Sequence, residues 1–230
     1  SMLKFQQTEV EMKKYLNILK KCPLFDSIAD RDLISILACI GARVTIANKS
    51  EPIFCEGEEI NKIGIVLSGS LKLERVDFYG NRSIVANVLP SEIFGEAFAC
   101  IGKGKIPFDI VAAEQTEIML VDCHRVITSC GNSCEFHNRL IFNLLKIVSL
   151  KNIYLNQRAE ITAKRSTREK LMAYLMLEAK KANKSEFTIP YNRQELADFL
   201  EVDRSGLSCE ISKLQSEGII QSKRSWFKLY

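Results

Sequence analysis

The chain has 230 residues, 47% of them hydrophobic and 26% charged, enough for one large core or two modest ones. No apolar run approaches the length of a bilayer span and no signal-peptide pattern opens the chain, so no membrane partner and a cytoplasmic location are expected. Eight cysteines without a regular framework fit a reducing compartment, and the small formal net charge of +4 informs only through its placement.

Residues 8–21 have the spacing of an amphipathic helix with Val10, Tyr15, Ile18 and Leu19 inward, ended by Pro23. A second helix is predicted over residues 27–40, opened by Ser27 and Asp30, with Leu33, Ile34, Leu37 and Ile40 on its buried side. From Ala42 the texture changes to short apolar runs at 43–46, 52–55, 63–67, 71–75, 83–88 and 118–121, punctuated by Gly57, Gly64, Gly69, Gly80 and Gly95. Gly80-Asn81 between two alternating runs is a hairpin signal. Many short strands at regular spacing predict a β-roll, a double-stranded β-helix of the cupin-like jelly-roll kind, in a first domain of residues 1–129. With the helices around it, the fold class is α+β.

Residues 133–161 contain neither Pro nor Gly and read as one long helix, within a connecting segment at 130–161. Leu140, Ile147, Leu150, Tyr154 and Ile161 lie near heptad spacing, and Ile141, Leu144, Val148 and Leu155 form a second apolar stripe. One buried face needs one stripe. Two predict that one covers the roll while the other meets the same helix of a second copy, giving a homodimer. A helix over residues 168–182 follows, with Leu171, Tyr174, Leu175 and Leu177 inward, then a break at Asn183-Lys184-Ser185 and a short strand at 187–189.

The last domain, residues 162–230, carries the chemistry. A short helix from about Arg193 buries Leu196, Ala197, Phe199 and Leu200, and Glu201-Val202 makes a tight connection. Asp203 can cap the next helix by accepting from its free amides. Leu207, Ile211 and Leu214 share that helix's buried face, Gly218 stops it, and Arg204, Ser205 and Ser208 face outward. Two short helices with a tight turn make a helix-turn-helix, whose second helix enters the DNA major groove; a helical hairpin with a merely solvated face is the alternative. Two alternating runs around Ser222-Lys223-Arg224-Ser225 add the layout of a wing, a basic hairpin that touches the DNA backbone, and favour double-stranded DNA as partner. From Arg158 onward there are 14 Lys/Arg against 10 Asp/Glu, with 18 of each before it, so all the excess positive charge lies with this hairpin.

The order β-roll, long helix, winged helix-turn-helix resembles the Crp/Fnr family of bacterial transcription regulators over essentially the whole chain. The resemblance rests on Gly69 in VLSGSLKL, Gly80, Phe94-Gly95-Glu96, RQELADFL and VDRSGLSCEISKLQSEGII. It implies a promoter-binding dimer that contacts RNA polymerase and whose roll senses a small effector or a redox state. By resemblance, Asn192, Arg193 and Gln194 hold the DNA backbone at the first helix, and Arg204, Ser205 and Ser208 form the base-reading turn. The family often has Glu where Ser205 stands and Arg where Cys209 stands. Losing that Arg removes a bidentate guanine reader, so the half-site is expected to differ and Arg204 to carry most of the direct readout.

Gly95-Glu96 matches the turn that holds the ribose in cyclic-AMP-binding members, and Pro107-Phe108-Asp109 stands where those members have an Arg-Ser pair for the phosphate. Gly95, Glu96 and Phe108 are therefore candidate effector-pocket residues, but a phosphate would lack that Arg and meet Asp109, with Lys103 or Lys105 of a GKGK loop as the alternative cations, which argues against cyclic AMP as the effector. Only Cys22 lies where the oxygen-sensing members carry a cysteine cluster, so an iron–sulfur site of that kind is not expected. Cys130, Cys134 and His137 share one face at helical spacing and are candidates for metal ligation or a thiol switch, with plain burial as the alternative. Cys39, Cys55, Cys100 and Cys123 sit in apolar runs and are expected in the core. A cupin-like enzyme would gather several histidines inside the roll; the two here, His124 and His137, fall at or after its end. The remaining alternative to a regulator is a ligand-sensing or scaffold protein of the same fold that does not bind DNA.

Overall fold

A computed structural model describes residues 12–76, 82–128 and 135–230. It divides into two compact units, residues 1–149 and 150–230, and the division falls inside the long helix.

The helix expected over residues 8–21 is interrupted in its described part. Residues 12–13 are helical, residues 14–15 form a turn, and α1 (Leu16–Leu19) follows, with hydrogen bonds to the third residue back, from Tyr15 N to Met12 O and from Ile18 N to Tyr15 O (both 3.1 Å), tightening the chain. Tyr15 and Leu19 are buried as expected, Ile18 is half-buried, and Val10 lies outside the described residues. Ser27 takes a left-handed conformation, so α2 (Asp30–Cys39) starts at Asp30 and buries Leu33, Ile36 and Leu37. Ile36, unforeseen, takes the place expected for Ile34 on that face.

The roll is two four-stranded antiparallel sheets. One runs in the order β1 (Arg43–Ala47), β8 (Thr116–Asp122), β3 (Lys62–Ser68), β6 (Ile93–Phe94). The other runs β2 (Pro52–Phe54), β7 (Asp109–Ala112), β4 (Leu71–Val76), β5 (Arg82–Val88). β4 and β5 pair from Leu71–Val88 to Val76–Arg82, as a hairpin requires, while Gly80-Asn81 lies outside the described residues. Two glycines allow close approaches. A Cβ on Gly64 would fall 2.0 Å from the Phe94 ring, and one on Gly69, at φ +75°, 2.5 Å from Gln115 O. Two short helices, α3 (Glu96–Ala99) and α4 (Cys123–Ile127), complete the unit with the first half of α5 (Glu135–Thr162).

Along α5 the two expected stripes are mixed rather than separated. Leu140 and Ile147 from the first and Leu144 from the second are buried in the core of the first unit, and Ile161 in that of the second. The straight α-helix turns every 3.6 residues, so a heptad assignment drifts around the surface over this length. Between them, no residue from Val148 to Asn156 is buried, although Val148, Leu150, Ile153, Tyr154 and Leu155 are large and apolar. Phe142 and Leu145 are likewise exposed.

In the second unit α6 (Thr167–Ala182) is opened by a reciprocal cap, in which Ser166 accepts from Glu169 N and Glu169 from Ser166 N. β9 (Glu186–Thr188) joins a three-stranded sheet in the order β10 (Ile220–Lys223), β11 (Trp226–Leu229), β9. Between them lie α7 (Arg193–Leu200) and α8 (Arg204–Ser216), and Leu196, Leu200, Leu207, Ile211, Leu214 and Phe227 close the core. No described helix is long and apolar enough to cross a membrane.

Candidate nucleic-acid interface

Local chemistry sets the geometry of the α7–α8 pair. Asn192 accepts from Gln194 N (2.9 Å) and Glu195 N (3.0 Å), while Glu195 accepts from Asn192 N (2.7 Å), so α7 begins on a full capping box. It ends at Glu201, held in the left-handed region at φ +53°. Lys170 donates to the terminal carbonyls of Leu200 (3.2 Å) and Glu201 (3.4 Å), which fixes the turn. Asp203 then caps α8, accepting from Gly206 N (2.9 Å) and from the Ser205 hydroxyl. Those two bonds, the hydroxyl first, hold its carboxyl below the usual range. Arg168 grips the far side of α8, donating to Glu217 (2.9 Å) and lying 3.5 Å from Glu210. Lys170 and Arg168 were not legible as site supports, because their partners lie tens of positions away.

The outward face of α8 carries Arg204, Ser205, Ser208, Cys209 and Ser212, all exposed. The serines are partly occupied: Ser208 donates to Arg204 O (2.9 Å) and Ser212 to Ser208 O (3.0 Å). The first-turn donor with reach is therefore Arg204. On α7, Gln194 is exposed and donates to Asp198 (2.8 Å). Arg193 is not a free cation. It is half-buried over the Phe227 ring (5.7 Å) and its Nη2 lies 3.4 Å from both Ser222 Oγ and Arg224 O, so it braces the wing against α7. Burial lowers its pKa. The wing is a two-residue hairpin in which Lys223 pairs with Trp226, and Arg224 at its tip is exposed at φ +56°.

The cyclic nucleotide-binding domain family matches residues 46–127, and the Crp-like helix-turn-helix domain family matches residues 169–229. The chain belongs to the Crp/Fnr family. A Cyclic AMP receptor protein from Thermus thermophilus is 30% identical over 101 residues, which span 44% of this chain and 45% of that one, so less than half of that relative is matched. Among solved structures, the c-di-GMP-responsive global regulator CLP from Xanthomonas campestris superposes with a TM-score of 0.55 at 17% identity, over 88% of this chain and 99% of that chain. A cyclic nucleotide-binding domain from Methylobacillus flagellatus does so at 0.55 and 15% identity, over 69% and 87%. At these identities the structural likeness speaks for the fold.

The candidate effector residues of this Crp/Fnr chain sit at the start of α3 and beside it. Gly95 stands at φ +77° as the N-cap of α3, and Glu96, the next residue, is buried. Phe108 is half-buried and meets Phe98 edge-on at 5.8 Å. Asp109 accepts from Glu56 N (2.8 Å), so a carboxylate is anchored directly after Phe108.

The cysteines need correction. Of the four expected in the core, only Cys123 is buried; Cys39, Cys55 and Cys100 are exposed. An apolar run does not assign a face: Cys39 is the last residue of α2 and lies at the edge of its buried face, Cys55 follows the end of β2, and Cys100 caps the C-terminus of α3. Cys130 and Cys134 lie outside the described residues. His137 is buried, and its Nε2 lies 3.1 Å from Arg125 O; a carbonyl only accepts, so Nε2 carries the proton and ties α5 to α4. Among the described residues no group of three potential ligands could hold a metal ion.

Proposed function

We propose that the chain is a DNA-binding transcription regulator that docks as a dimer on near-palindromic sites and answers to a small effector held by its β-roll. The observation that carries this reading is the second unit's exposed turn at Arg204–Ser208, in a unit that also presents the capped start of α7 with the Lys223-Arg224 wing braced against it through Arg193. A recognition helix needs its first turn free to reach base edges while flanking groups meet phosphates, and this arrangement leaves both available. Arg204 is the reader; Lys223, Arg224 and the exposed Gln194 side chain are the backbone contacts. Arg193 contributes indirectly by holding the wing. The uncovered apolar stretch of α5 supports pairing with a second copy, because a regulator with two recognition helices reads two half-sites about 34 Å apart.

The effector is not a cyclic mononucleotide held as in the receptor named above. A buried phosphodiester needs a cation, and Phe108 and Asp109 supply an aromatic ring and a carboxylate instead. Titration of the chain against palindromic DNA at several salt concentrations tests the main reading: binding must weaken steeply with salt. A shallow, sequence-blind response, or none, returns the chain to the class of non-DNA-binding sensor proteins. Calorimetry with cyclic AMP should show no micromolar binding, and saturation there would overturn the effector argument.

A further inference from the structure

The β-roll brings together two thiols that sequence spacing hides. Cys100, at the C-terminal cap of α3, is exposed, whereas Cys123, the first residue of α4, is only 1% exposed. They are 23 positions apart, yet their Sγ atoms lie 3.6 Å from each other and both are reduced. Neither is on a loose segment. Cys100 N donates to Glu96 O (2.9 Å), and Cys123 N donates to Asn61 O (3.1 Å), so α3 and the β8–α4 junction hold the pair from opposite sides. A disulfide measures about 2.05 Å, so closure asks the sulfurs to approach by roughly 1.5 Å.

We propose that Cys100 and Cys123 are a redox-active dithiol that reacts with low-molecular-weight disulfides, Cys100 as the attacking thiol and Cys123 as the resolving one. The electrostatics agree with this division. The hydrogen bond from Cys123 lowers the Cys100 thiol to about 7, and the same bond, with burial, holds Cys123 well above the ordinary thiol range. An exposed thiolate beside a buried, protonated partner is the arrangement exchange needs.

The Cys100 thiolate attacks one sulfur of RSSR, forming a mixed disulfide and releasing RS⁻, which takes up a proton. Cys123 loses its proton to solvent and attacks Cys100 Sγ, forming the internal bond and expelling the second RS⁻, which is protonated in turn. Two protein thiols are oxidised and RSSR is reduced to two RSH. The bond ties the helix that follows the Gly95-Glu96 turn to the end of β8. This chemistry belongs to the roll alone and does not rest on DNA binding.

The full-length reduced chain is incubated with oxidised glutathione, quenched in acid, digested without reductant and mapped by mass spectrometry. The expected product is a peptide pair joined through Cys100 and Cys123, while Cys22, whose burial raises its thiol to about 11, stays reduced. Cys123→Ala should accumulate one glutathione on Cys100, and Cys100→Ala should lose the linked pair altogether and leave Cys123 unmodified. If the wild-type chain instead keeps glutathione on Cys100 without the linked pair, or joins Cys100 or Cys123 to another cysteine, the assignment is wrong. The wild-type map decides this even if a variant at the buried position folds poorly.

Discussion

Arg204 and Arg193 are both arginines near the proposed DNA face, but their surroundings assign them different work. Arg204 projects from the first turn of α8, so Arg204→Ala should relax specificity at one base pair of each half-site at a cost of about 1–3 kcal/mol. Binding curves on matched and singly mismatched operators decide it; equal weakening of every sequence would make Arg204 a phosphate contact. Arg193 is bound into the wing, so its replacement should lower the melting temperature of the second unit as well as affinity, whereas Lys223→Ala should flatten the salt dependence and leave melting unchanged. Asp203 gives a pH test. Its folded pKa is depressed, so its contribution is fully present above the unfolded carboxylate value and is lost as the pH falls through the folded value. Asp203→Asn keeps a capping oxygen without the charge. It should melt lower than wild type at neutral pH and converge with it in strong acid, as circular dichroism would show.

At the scale of elements, what could be read from sequence is what local chemistry decides. The cap at Asp203, the stop at Gly218 and the run of strands from β1 to β5 were legible because a few neighbouring residues set them; the capping box at Asn192 was not among them. The two-residue β6 and the four-residue α3 are too short to carry a periodicity, and β7 hides in a run broken by Asp109. The sorting of the α5 face was also hidden, since burial there depends on what covers each half of the helix. That sorting changes which variants test pairing. Ile147, 8% exposed, belongs to the first unit's core, so Ile147→Glu should unfold the roll. Leu150 and Ile153, at 56% and 54% exposure, belong to neither core, so Leu150→Glu with Ile153→Glu should yield a folded monomer. Sedimentation with circular dichroism checks both; an unchanged dimer in the double variant places the interface elsewhere.

Over the whole molecule, the chain divides its tasks between two compact units, and the residues on which each task turns were unequally visible. The proposed DNA face is contiguous in sequence, from Asn192 to Arg224, so motif and spacing could name it. The Cys100–Cys123 approach exists only once β8 returns beside α3. Spacing pointed instead to Cys130, Cys134 and His137, of which His137 proves to be a helix tie to Arg125 O.

On the pairing proposed above, the exposed middle of α5 would tie stability to abundance. Nine consecutive residues there are exposed, five of them large and apolar, and a second copy would shelter them. Mass action then makes the melting temperature rise with protein concentration, and calorimetry over a hundredfold dilution should record that rise. On the same proposal, a cell that makes few copies would hold mostly lone chains, each with one recognition helix and half the operator contacts. The helix would then set a dosage threshold, with promoter occupancy climbing more steeply than the number of molecules made.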